Sequence, residues 1–73
     1  MKITKPRKEK VIEALRSWGS CNRVMGELTE PEVLAALNAE RHSHKRADMV
    51  IRFHARYTKL RAIRERQELL AAL

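Results

Sequence analysis

The sequence predicts an all-α fold, a small three-helix domain whose last helix is long and basic. Three observations lead there. From Lys45 to Leu73 there is no glycine or proline. Apolar residues recur at helical spacing in three separate stretches. Between them, Leu28-Thr29-Glu30-Pro31-Glu32-Val33 carries the start signature of a helix. A chain of 73 residues allows one domain, spanning 1–73, with 1–5 expected to be disordered and 67–73 to fray at the far end.

The first helix is predicted at about residues 6–18. Pro6 suits a first turn, where a missing N–H has no cost. Val11, Ile12, Ala14, Leu15 and Trp18 recur at helical spacing, and Gly19 is placed to cap the end. Trp18 is read as a core residue, with a partner-facing anchor as the other reading. Residues 20–26 read as a loop because they hold Asn22 and Gly26, with Val24 and Met25 apolar enough to tuck under the core. The second helix is predicted at about 30–41. Thr29 can accept from the backbone N–H of Glu32, the Glu32 side chain can accept from the N–H of Thr29, and Leu28 can staple onto Val33. Val33, Leu34 and Leu37 form its expected buried face.

Arg41-His42-Ser43-His44 has no apolar periodicity and reads as the turn into the third helix. That helix can run about 40 Å at 1.5 Å per residue. Met49, Val50, Phe53, Tyr57 and Leu60 gather on one side of it as a packing seam. The neighbouring face carries Lys45, Arg52, Arg56, Lys59 and Arg66, with Ile63 in their midst. Beyond Leu60 the seam meets Arg64 and Gln67, so the last turns extend past the core, supported by the pairs Arg61–Glu65 and Arg64–Glu68.

Charge is distributed unevenly. The whole chain is +7, with 16 Lys+Arg against 9 Asp+Glu. Residues 1–10 are +4, residues 11–40 are −3, and residues 41–66 are +7. Two basic zones therefore flank an acidic middle, which is expected to serve intramolecular pairing while the flanks attract an acidic partner or a polyanion. The cations read as partner-binding are Lys5, Arg7 and Lys8 at the start and Lys45, Arg52, Arg56, Lys59 and Arg66 later, with Ile63 as an apolar anchor.

The same figures argue against an enzyme, since a chain this short cannot build both a core and a walled cavity. No cofactor is expected: two glycines leave no room for a phosphate-cradling loop. His42, His44 and Cys21 match no metal-ligand spacing, so no metal is expected. Cys21 has no base assigned beside it and reads as a structural thiol. A lone cysteine fits a reducing cytoplasm, and apolar runs of five residues predict no membrane span and no secretory leader. Three helices with the most basic one last also outline a helix-turn-helix-like nucleic-acid-binding module. The face offers Arg and Lys for phosphates, but no Asn or Gln beside them to read bases before Gln67.

The stretch Leu28–Leu70 resembles a family of small bacteriophage transcription regulators that bind host RNA polymerase, of the Xanthomonas phage type. The residues that carry the resemblance are Leu28-Thr29-Glu30, Leu34 and Leu37, Lys45-Arg46, Met49 through Tyr57, Lys59-Leu60-Arg61 and Arg64-Glu65-Arg66. It implies a phage protein acting in the host cytoplasm, inhibiting host transcription and modulating termination, including antitermination. The implied partner surface is the polymerase β′ N-terminal segment and β flap, met by a monomer that disturbs the holding of σ.

Overall fold

The computed structural model describes residues 5–73. It is all-α, with four helices among the described residues: α1 (Lys8–Arg16), α2 (Trp18–Val24), α3 (Glu30–His42) and α4 (Ala47–Ala71). A 3₁₀ turn, Met25–Glu27, follows α2. Lys5, Pro6 and Arg7 precede α1, and the part of the expected disordered start at 1–4 lies outside the described residues.

One more helix is present than the sequence predicts, because the chain breaks at Ser17 and starts again. Ser17 is fully extended, at φ −164 and ψ 168, and its hydroxyl accepts from the backbone N–H of Ser20 at 3.1 Å. It is the N-cap of α2. Gly19 therefore lies in the first turn of α2 and is not the end of α1, and the segment read as a loop is helical as far as Glu27. The break redirects the chain so that Ser20, Cys21 and Val24 are buried. Trp18, left at the turn, is 47% exposed and is not a core residue.

The start of α3 forms as predicted. The N–H of Glu32 donates to Thr29 Oγ1 at 3.4 Å, and the N–H of Thr29 donates to Glu32 Oε1 at 2.8 Å. Its buried face differs: Glu32, Val33, Ala36, Leu37 and Glu40 are buried, whereas Leu34 turns outward. The core is formed by Ala14, Cys21, Val24, Met25, Leu28, Val33, Ala36, Leu37, Met49 and Phe53. Val50, Tyr57 and Leu60 pack on its margin, so the predicted seam of α4 is the seam observed. α3 lies chiefly against α4, while α1 packs on α2 and α3.

Two buried carboxylates on α3 organise the chain ends around it. Glu32 accepts from the backbone N–H of Arg7 at 2.9 Å, from its Nε at 2.7 Å and from its Nη2 at 3.0 Å, as well as from Thr29. Arg7 Nη2 also donates to the Glu27 carbonyl. Two turns further along α3, Glu40 accepts from the N–H, Nε and Nη2 of Arg46, at 2.9, 2.9 and 2.7 Å. Arg46 Nη2 also donates to the Leu15 carbonyl at 2.6 Å. Arg7 and Arg46 are the N-cap residues of α1 and α4. Each fork therefore fixes where a helix begins relative to α3.

These forks set the acid sensitivity of the fold. The Arg7 guanidinium holds the Glu32 carboxyl down at about 2, and that of Arg46 does the same for Glu40, against an ordinary 4.5. A carboxylate held low in the folded chain stabilises it above the unfolded value, and the contribution is lost as pH falls through the folded one. Thermal midpoints are therefore expected to hold above pH 5 and to drop steeply from about pH 4.5 toward 2. The double variant Glu32→Gln/Glu40→Gln is expected to melt lower at pH 7 and to lose most of that slope, as followed by circular dichroism.

Candidate functional site

Every glutamate in the acidic middle is used internally. Glu13 pairs with Arg23 at 2.9 Å, Glu27 with Lys10 at 2.9 Å, and Glu30 with Arg64 at 2.8 Å, beside the two forks. The pairs Arg61–Glu65 and Arg64–Glu68, at 3.3 and 3.1 Å, line the outer part of α4 as predicted. Glu13 is held below the ordinary carboxylate range by a hydrogen bond from Arg23. Arg64 is raised by its hydrogen bonds to Glu30 and Glu68.

Among the described residues, no ion pair involves Lys5, Lys8, Lys45, Arg52, Arg56, Lys59 or Arg66. The sequence-predicted set thus divides. Arg7 is committed to Glu32 and belongs to the scaffold. Lys5 and Lys8 are exposed at the start of α1, and Lys45 is exposed in the α3–α4 turn, where its φ of 53 is left-handed. The structure gathers Arg52, Arg56, Lys59, Ile63 and Arg66 on one face of α4. Their spacing of four, three, four and three residues returns to the same side of the helix. The stripe covers about 21 Å at 1.5 Å per residue.

Two features of this face are absent from the sequence reading. Leu70, 62% exposed, stands seven residues beyond Ile63, itself 40% exposed, so the far end of the stripe carries two apolar side chains among its cations. At the near end, Asn22, Met25 and Gly26 come across from α2 and the 3₁₀ turn to face Arg52, Ala55, Arg56 and Lys59. Together they line a notch of about 330 Å³. Asn22 accepts from Arg52 Nε at 2.9 Å and donates to the Trp18 carbonyl at 2.9 Å. The notch was hidden in the sequence because its second wall is a segment that reads as a loop. The Ser17-x-x-Ser20 capping pattern was the available clue.

His42 Nδ1 meets the Asn38 carbonyl at 2.7 Å, and no group of three or more His, Cys, Asp or Glu side chains is placed to hold a metal among the described residues. Cys21 is buried, which pushes its thiol up and keeps it in the unreactive protonated form. No described helix is long and apolar enough to cross a membrane.

The division between scaffold and surface cations is testable by urea unfolding. Replacing Arg46 by Ala leaves Glu40 buried without its partner and is expected to cost about 3 kcal/mol. Replacing Lys59 or Arg66 by Gln is expected to stay within about 0.5 kcal/mol of the parent. No family model, no curated protein and no solved structure matches this chain.

Proposed function

We propose that this chain is a regulator that binds bacterial RNA polymerase, inhibiting host transcription and modulating termination, as the resemblance of Leu28–Leu70 to small phage regulators implies. The observation that carries the reading is the face of α4 on which unpaired cations alternate with exposed Ile63 and Leu70. A mixed basic and apolar strip on a rigid helix fits a protein surface that is acidic and has a hydrophobic recess: the charges steer the encounter and the apolar side chains anchor it. In this reading the protein works as a monomer in the host cytoplasm, and the polymerase β′ N-terminal segment and β flap are its docking surface.

The second reading, a helix-turn-helix-like nucleic-acid module, is favoured only in part. The α4 face offers phosphate contacts, while Asn and Gln, the usual readers of adenine edges, are missing from it before Gln67.

The test is capture by the tagged chain from nuclease-treated Xanthomonas lysate, followed by titration against the purified polymerase. Retention of β and β′, together with reduced run-off transcription, is expected. Arg52→Glu/Arg56→Glu/Lys59→Glu should weaken binding at least tenfold, and the neutral change Ile63→Ser should weaken it without changing the salt dependence. Absence of polymerase from the capture and no binding to the purified enzyme would overturn the proposal. Unchanged affinity in the triple variant would place the interface on another face.

A further inference from the structure

We propose that the notch between α2 and α4 binds the phosphodiester backbone of single-stranded nucleic acid, with Arg52, Arg56 and Lys59 holding phosphates and Trp18 stacking on a base beside them. The inference does not depend on polymerase binding.

Charge is the first support. Three cations enter the notch at positions 52, 56 and 59 of one helix, and no carboxylate lines it. In the rest of the described chain, carboxylates are brought to cations wherever helices meet: α1 with α3, α1 with α2, and α3 with α4. Here a helix junction keeps its cations without counter-charge. Their mutual repulsion is a standing cost that an anion removes.

The second support is an orphaned donor. Arg56 Nε is sealed from solvent and has no hydrogen-bond acceptor, the one such side-chain atom found among the described residues. A buried N–H without an acceptor is uncommon and costly. An oxygen arriving in the notch supplies one after a small rotation of the guanidinium. Arg52 is held differently: Asn22 fixes it through Nε, and its terminal nitrogens have no protein acceptor among the described residues. One arginine is thus pre-oriented and the other lacks an acceptor, in the same cavity of about 330 Å³.

Shape and surroundings select the ligand. A carboxylate presents two oxygens in one plane, whereas a phosphate offers oxygens in several directions, which suits three cations converging from one side. The row continues to Arg66, about 10 Å beyond Lys59, so an extended polyanion fits better than a lone phosphate ion. Trp18 decides between single strand and duplex. It does not line the notch itself but stands one turn before Asn22 on the same face of α2, and the residue is 47% exposed. A half-exposed tryptophan one helical turn from a cationic groove is within reach of a base whose phosphate sits in that groove, and such aromatics stack unpaired bases. Paired bases in a duplex are not available to it.

The test uses the purified full chain and fluorescein-labelled 12-nucleotide oligouridylate, followed by anisotropy and by quenching of the single tryptophan. Binding is expected with a logarithmic salt slope of about −2, as three phosphate contacts at roughly 0.7 each require. Arg56→Gln should lower affinity at least fivefold and flatten the slope by about 0.7. Trp18→Leu should lower affinity about fivefold or more with the slope kept. Lys8→Gln should leave both unchanged. Oligodeoxythymidylate is expected to bind comparably. Three results would overturn the proposal: no quenching on binding, an Arg56→Gln variant that binds as the parent does, or equal binding of a 12-base-pair duplex. Equal competition by a polyglutamate of matched charge would also overturn it, by showing an acidic-peptide site.

Discussion

The two carboxylates buried on α3 are the constraint on which the rest of the structure depends. Glu32 and Glu40 have no exposed surface, yet both are held in the charged form. A buried carboxylate is tolerated only when its lone pairs are filled, and each takes three bonds from one arginine through backbone and side chain together. Because those arginines are the N-caps of α1 and α4, neither helix can slide along α3 without uncovering a charge. Arg46 reaches on to the Leu15 carbonyl near the end of α1, so one guanidinium joins three helices. A small core of mostly Ala, Val, Met and Leu side chains around Phe53 fixes helix positions weakly by shape alone. The forks add direction to it.

That arrangement determines what the surface can offer. All five glutamates between residues 11 and 40 are used to join elements, and Glu65 and Glu68 pair along α4. The net charge of +7 is therefore not spread as a haze over the molecule. Among the described residues, the cations that make no ion pair are gathered most densely along α4. The ion pairs that join elements and the cations of the α4 face are separate residues, so the outer face can change its charge without breaking one of those pairs.

Much of this was legible in the sequence, and the failures have physical causes. The capping box at Thr29–Glu32 is a local pattern whose two hydrogen bonds need only four residues, so it was read correctly. The seam Met49, Val50, Phe53, Tyr57, Leu60 obeys helical periodicity over three turns and was equally plain. On α3, Val33 and Leu37 are buried as expected, while Leu34 is not: hydropathy counts it inward and the glutamates outward. Val33, Ala36 and Leu37 keep helical spacing by themselves, and counting Glu32 and Glu40 with them extends the buried stripe over 32, 33, 36, 37 and 40 and leaves Leu34 off it. The break at Ser17 was missed since Gly19 offered a competing stop signal two residues later. For the site, the α4 stripe followed from spacing, while the notch needed α2 and could not be seen until residues 18–24 were known to be a helix.

The outer half of α4 shows why the stripe can act as a single rigid surface. From Arg61 on every side chain is exposed, and an isolated helix of that length is marginal in water. It is held by two i,i+4 pairs and, more firmly, by Arg64, which reaches back to Glu30 at the first turn of α3 while also meeting Glu68. Glu30 in turn sits where the α3 dipole favours negative charge. The tether lies on the seam side of α4 and leaves the Arg52–Leu70 face uncovered. Along that face the notch cations Arg52, Arg56 and Lys59 lie at one end, and the exposed apolar side chains Ile63 and Leu70 lie one to three turns farther out. Because both proposals draw on Arg52, Arg56 and Lys59, a strand in the notch and a protein on the stripe are expected to compete.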